Sequence, residues 1–182
     1  DRLKQAFMSF ISSVPFYGVA ICCSDDQNLS KIISKIKDRK IVTYGFSEYS
    51  NIRIKNISFK DGISSFDIDD TINGIYLRDF ELPMVGEHNV LNACAAVLVA
   101  LQLSIPLKSI KSSLSMFDGV ARRFSEVGLY KGAMIIDDYA HHPVEILAVI
   151  KAARQIANKR VIVVHQPHRY TRLRDLFNEF QE

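Results

Sequence analysis

Cysteine is scarce in this chain: Cys22, Cys23 and Cys94 are the three in 182 residues, and no C-x-x-C spacing occurs. Cys22 and Cys23 point to opposite faces if they lie in a strand. The expected state is buried free thiols in a reducing cytosol, and no secretory leader pattern opens the chain. Long apolar runs are missing too. The longest near the middle, Ala93 to Leu101, is far short of the ~20 residues a membrane-spanning helix needs. No G-x-x-x-x-G-K-[ST] loop occurs, so nothing here cradles a triphosphate by itself. G-x-G-x-x-G and G-x-S-x-G are absent as well. The net charge of +3 is too mild to imply a polyanion partner. Internal repeats and low-complexity linkers are not visible.

What is present reads as an α/β protein. Leu3, Phe7, Phe10 and Ile11 recur at helical spacing, and Pro15 ends that segment. Tyr17 to Cys23 is a strand run, Asp25 or Asp26 can cap a helix carrying Leu29, Ile32, Ile33 and Ile36, and Lys40 to Gly45 is a second strand. Short loops between alternating elements mark a parallel sheet. Asp61-Gly62 and Asn73-Gly74 then separate three strands of a small antiparallel meander. Asp67, Asp69 and Asp70 fail the calcium-loop template, since Ile72 stands where that loop needs glycine, and they read as solvated turn acids. A helix from about His88 to Leu103 and another after Pro106 follow, and Asp118-Gly119 breaks the second. The domain boundary falls between Gly119 and Ser125, giving units 1–121 and 122–182.

Polar side chains of high chemical value crowd the second unit. Asp137-Asp138-Tyr139-Ala140-His141-His142-Pro143 lies between the apolar run Ala133 to Ile136 and a helix pattern from Val144 to Ala157. His165-Gln166-Pro167-His168-Arg169-Tyr170-Thr171-Arg172 follows the apolar run Val161 to Val164. A right-handed βαβ unit makes the two strands parallel. Both loops then leave one carboxyl edge, where open α/β sheets bind ligands. Asp137 and Asp138 suit a ribose hydroxyl pair or a metal, although a helix cap explains one of them. Arg169 and Arg172, three apart, can share a helix face and grip a carboxylate or phosphate; a solvated basic helix and nucleic-acid binding are the alternatives. Residues 165–174 hold three Arg, two His and no acid.

Two further groups flank the boundary. His88, Asn89 and Asn92 sit around a helix start, with amides suited to a purine edge; the plainer account is that Asn89 caps the helix and His88 lies on the surface. Arg122-Arg123-Phe124 occupies the hinge, where arginine fits phosphate or an interdomain salt bridge.

These motifs together resemble the Mur ligases. The matching stretches are Gly86-Glu87-His88-Asn89-Val90-Leu91-Asn92-Ala93, Phe117 to Phe124, Asp137 to Pro143, and Gln166 to Arg172. Residues 86 to 175 match closely and the first 85 by layout. Val85 and Glu87 depart from a frequent Pro and basic residue, and Val144 replaces a frequent Thr. The resemblance implies the remainder of a central ATP-binding domain, then the start of a Rossmann-like C-terminal α/β domain. The P-loop, the metal-binding segment and a nucleotide-sugar domain would lie before Asp1, so the chain reads as a piece of a longer cytoplasmic protein, inactive alone. The pairing of Asp-Asp-Tyr-Ala-His-His-Pro with Gln-Pro-His-Arg-Tyr implies ATP-dependent joining of L-alanine to UDP-N-acetylmuramate through an acyl phosphate. A murein-peptide recycling ligase and a non-catalytic nucleotide-binding module are the alternatives.

By the same resemblance His88, Asn89 and Asn92 meet adenine, Arg123 or Arg122 the phosphates, and Asp137 and Asp138 the ribose. Tyr139, His141, His168, Arg169 and Arg172 serve the substrates. Arg123 and His142 are the expected catalytic pair. Mg2+ is implied with ligands upstream and none in this chain; no nucleic-acid or membrane partner is expected.

Overall fold

The computed structural model describes residues 2–181. Helix α1 (Arg2–Ser12) leads into strand β1 (Ala20–Cys23), which starts later than its apolar pattern because Gly18 N–H closes a turn onto the Pro15 carbonyl at 2.8 Å. Helix α2 (Gln27–Ile33) is capped by Asp26, whose carboxylate accepts from Leu29 N–H at 2.7 Å. Asp25 does other work. It accepts from Phe46 N–H at 2.8 Å and Ser47 N–H at 3.2 Å, tying the end of β2 (Ile41–Gly45) to the end of β1.

Strands β3 (Ile52–Lys60), β4 (Ile63–Asp70) and β5 (Ile75–Leu82) form the expected meander, but it is not separate. One five-stranded sheet runs β1-β2-β3-β4-β5. β1 and β2 pair in parallel, and β3 joins in parallel through Tyr44↔Ile52 and Gly45↔Arg53 alone. The β3–β4 and β4–β5 pairs are antiparallel. Asp67 and Asp69 lie in β4 rather than in a turn. Asp67 accepts from Asn56 Nδ2 at 2.8 Å, Tyr76 Oη at 3.1 Å and Asp79 N–H at 2.9 Å, beside the register shifts on both sides of its strand. Its role is to hold two bulges in place. Asp70 is the turn acid, accepting from Ile72 and Asn73 N–H at 3.0 Å each.

Helix α3 (Glu87–Gln102) lies on one face of this sheet, with α4 (Leu107–Ser115) beside it. Val90, Cys94 and Val97 of α3 meet Ile54, Phe66, Ile68 and Phe80 from the strands. Phe66 and Phe80 stack at 5.4 Å between ring centroids. The other face receives Ile11, Ile32 and Ile36 against Ala20 and Cys22. Strand β1 is thus buried on both sides, as a parallel strand must be. Cys22 and Cys23 face opposite layers, and all three cysteines are free. Burial first, then the neighbouring Cys23, push the Cys94 thiol up to about 12.

The second unit holds a hairpin of β6 (Ser125–Tyr130) and β7 (Ala133–Asp137), then α5 (Pro143–Ile156) and the short α6 (Tyr170–Asp175). The expected strand Val161 to Val164 does not form: none of these residues pairs with a neighbour, and Val164 is 95 % exposed. A strand exists only where a ladder partner takes its amides and carbonyls, and β7 pairs with β6 alone among the described residues. Leu173, Leu176, Phe177 and Phe180 recur at helical spacing, but helix α6 ends at Asp175. No helix among the described residues is long and apolar enough to cross a membrane.

Candidate functional site

The first unit contributes the start of α3. Gly86 caps it in the left-handed region, at φ 105°, and its carbonyl accepts from Asn89 and Val90 N–H. Asn89 neither caps the helix nor faces solvent. It is 4 % exposed, and its Nδ2 donates to the Val85 carbonyl at 2.8 Å. Asn92, one turn on, is exposed. His88 is half-buried at the junction with the second unit. Burial first lowers its imidazole pKa; the Asp138 carboxylate opposes that and the Arg123 guanidinium reinforces it.

The second unit is laced to the hinge through its backbone. Arg122 and Phe124 both take left-handed φ, 58° and 52°. Non-glycine residues hold that conformation only where neighbours over-determine it. The neighbours are evident. Tyr139 N–H donates to the Arg122 carbonyl at 2.8 Å, and Asp138 Oδ2 accepts from Phe124 N–H at 2.8 Å. Asp138 Oδ1 accepts from Ala140 N–H at 2.6 Å, so both oxygens of the expected ribose ligand already hold main chain. Arg122 Nε reaches Asp137 Oδ2 at 3.2 Å, and its guanidinium lies 4.9 Å from the Tyr139 ring centroid. Arg123 is exposed, and no carboxylate among the described residues pairs with it.

The two polar loops do converge, although the strand expected to bring the second one there is missing. Tyr139 Oη is 3.0 Å from His168 Nε2. The rings of Tyr139, His141 and His168 lie 5.1 to 5.7 Å apart, centroid to centroid. His141 Nδ1 sits 2.8 Å from the Tyr139 carbonyl. His142 turns away from this cluster. Its Nδ1 accepts from Val144 N–H at 3.4 Å, making it the N-cap of α5 and leaving only Nε2 for other chemistry. Arg169 is exposed at the start of α6, where its side chain makes no cap. Arg172 is half-buried, with its Nη1 enclosed and without a hydrogen-bond partner among the described residues.

Sequence reading passed over Glu145. Its Oε2 accepts from both His141 and His142 N–H at 3.1 Å. Burial pushes its carboxyl up, but these donors and the two imidazoles outweigh that and hold it below the usual range. The signal was available: Glu at the third helical position after a polar cap is the capping-box pattern, here with His in place of Ser or Thr.

A cleft of about 450 Å³ opens at the hinge, lined by Met84, Asp118, Arg123, Glu126, Met134 and Ile156 among others. Asp137, next to Ile136 on β7, points to the other side of the hairpin. Among the described residues no group of three or more His, Cys, Asp or Glu is placed to hold a metal ion.

The chain is 48 % identical over 180 residues to the UDP-N-acetylmuramate–L-alanine ligase of Roseobacter denitrificans, an alignment covering 99 % of this chain and 38 % of that protein. Among solved structures it resembles the UDP-N-acetylmuramate-alanine ligase MurC of Thermotoga maritima, with a TM-score of 0.74, and MurF of Acinetobacter baumannii, with a TM-score of 0.73. The MurC alignment has 26 % identity and covers 96 % of this chain and 38 % of the other. MurF of Acinetobacter baumannii aligns at 27 % identity over 85 % of this chain and 33 % of its own. The Mur ligase middle domain pattern matches residues 1–100, and the Mur ligase glutamate ligase domain pattern matches residues 122–182. With both of its units matched in order by successive domains of one family, the chain belongs to the Mur ligases.

Proposed function

We propose that this chain supplies two parts of an ATP-dependent, cytoplasmic ligase that joins L-alanine to UDP-N-acetylmuramate. They are residues 1–121 of the ATP-binding domain and residues 122–182 of the C-terminal domain. The relatives carrying that name are longer, and this chain spans 38 % of the first of them. One observation carries the reading. Tyr139, His141 and His168 meet from two loops beside Arg122 and Asp137, next to a hinge that also receives His88.

The exposed groups fit a nucleotide in part. Asn92 offers an exposed amide, and Arg123 an exposed guanidinium for phosphate. Asp137 accepts from one exposed arginine, a contact a ribose could replace. Asn89 and Asp138 are committed to main chain, so we assign them to shaping the site rather than to the ligand itself. Among the described residues no group of His, Cys, Asp or Glu forms a site for Mg2+. ATP supplies the phosphoryl group that activates the sugar nucleotide's carboxylate; this chain binds, orients and excludes water. We assign Arg169 and Arg172, which follow His168 in the same loop and the start of α6, to the amino-acid carboxylate, and His142 contributes by starting α5.

The test is Arg169→Ala in the intact ligase, with ADP release coupled to an optical signal. A charge-assisted hydrogen bond to a carboxylate contributes roughly 1.5–3 kcal/mol, so the KM for L-alanine rises about ten- to a hundredfold while that for ATP holds. Release driven by murein tripeptide and not by L-alanine would assign the chain to a recycling ligase. ATP binding without release under any acceptor would make it a nucleotide-binding module.

A further inference from the structure

The residue that sets the geometry of the Tyr139–His141–His168 cluster is not in the cluster. We propose that Glu145 is a positioning residue for the amino-acid site: by receiving the N–H groups of His141 and His142 on one oxygen, it fixes the turn and presents His141 Nε2 as an acceptor. The proposal rests on the functional reading above.

The helix start leaves N–H groups without intrahelical partners. Pro143 at the first helical position has no N–H to satisfy, and Val144 N–H goes to His142 Nδ1. The N–H groups of His141 and His142 precede the helix and would point at water. Glu145, one turn in, collects both at 3.1 Å. Its side chain is 52 % exposed, so packing does not explain why it turns back over the loop.

The consequence is chemical as well as geometric. A carbonyl oxygen can only accept, so the 2.8 Å contact between His141 Nδ1 and the Tyr139 carbonyl means that Nδ1 carries a proton. In the neutral ring Nε2 is then the acceptor. Glu145 Oε2 lies 3.9 Å from the same Nδ1 and favours the proton there. Second partners of this kind select a histidine's tautomer and ring orientation. The His141 ring lies 5.1 Å from Tyr139 and 5.2 Å from His168, so a turn that relaxes displaces the cluster's centre. An acceptor nitrogen there suits the ammonium or amine of an α-amino acid whose carboxylate is held by Arg169 and Arg172.

The experiment uses the intact ligase with four variants: Glu145→Ala, Glu145→Gln, His141→Ala, and the Glu145→Ala/His141→Ala pair. Glu145→Ala raises the KM for L-alanine about ten- to a hundredfold, the cost of an ångström-scale misplacement, and leaves the KM for ATP within about twofold. Glu145→Gln, whose amide oxygen still accepts two N–H groups, retains most of the affinity and shows that the fold is intact. Because Glu145 acts through His141, the double variant is no worse than His141→Ala alone. Additive losses, an unchanged KM in Glu145→Ala, or Glu145→Gln as impaired as Glu145→Ala would each overturn the proposal. If His141→Ala leaves the KM for L-alanine unmoved, the site reading beneath the proposal falls and takes the proposal with it. If His141→Ala is impaired and Glu145→Ala is not, the positioning role alone falls.

Discussion

Arg123→Ala in the intact ligase lowers kcat by about a hundred- to a thousandfold, the cost of removing one preorganised donor aimed at developing charge. The structure separates the two hinge arginines. Arg122 is held by Asp137 at 3.2 Å and covers the Tyr139 ring, so it belongs to the scaffold of the loop. Arg123 lines the hinge cleft, has no carboxylate partner among the described residues, and is close enough to His88 for its charge to be felt across the junction. A planar guanidinium held at a hinge and left unpaired suits bidentate binding of phosphoryl oxygens. Arg123→Lys keeps the charge without the fork and recovers only part of the rate. Steady-state ADP release at saturating substrates checks this. A kcat within about threefold of wild type would remove Arg123 from the transition state and leave it a surface charge.

The second large effect is on stability. Gly86→Val destabilises the intact protein by about 2–5 kcal/mol, from a disfavoured backbone conformation and from overpacking together. Gly86 holds φ 105°, which a β-branched residue does not tolerate. A Cβ there would stand 2.8 Å from His88 Cε1, 3.0 Å from Nδ1 and 3.1 Å from the Ala152 Cβ. Ala152 is on α5, buried at 1 %, so the missing side chain is what lets the second unit lean on the start of α3. The variant therefore pushes on the His88 ring and on Ala152, and loosens the hinge as well as straining α3. Urea unfolding followed by circular dichroism gives the loss, and ATP titration gives the accompanying weakening. A midpoint equal to wild type would show that the two units do not touch at this point.

The parts of the fold legible in sequence are those where a local signal meets a local cause. Asp61-Gly62 marks a two-residue hairpin with both residues left-handed, Asn73-Gly74 ends a four-residue loop in which Gly74 alone is left-handed, and the strands they separate are where the alternation put them. Helix α3 followed from Ala, Val and Leu at helical spacing after Gly86. What failed depended on partners distant in sequence. Asp25 and Asp26 are indistinguishable as caps until β2 arrives and claims Asp25 through Phe46 and Ser47. Asp67 resembles a turn acid because nothing nearby in sequence reveals that Asn56 and Asp79 will bulge toward it. Val161 to Val164 has a strand's composition and no ladder. The site divides the same way. The density of His, Asp and Arg in two loops pointed to their meeting, and Tyr139 and His168 do meet. Whether a polar side chain is free or spent on main chain is not a property of its own sequence neighbourhood. Asn89 and Asp138 are spent, while Asn92 and Arg123 are exposed.

In the proposed function one nucleotide is shared between the start of α3 and the segment from Arg122 to Tyr139. The crystal structure of the intact protein with a non-hydrolysable ATP analogue tests it most directly. The expected result is the adenine edge at Asn92, the ribose hydroxyls at Asp137 in place of Arg122, and phosphate oxygens on Arg123. An adenine ring lodged in the hinge cleft among Met84, Met134 and Ile156, or a nucleotide touching only one of the two units, would contradict it.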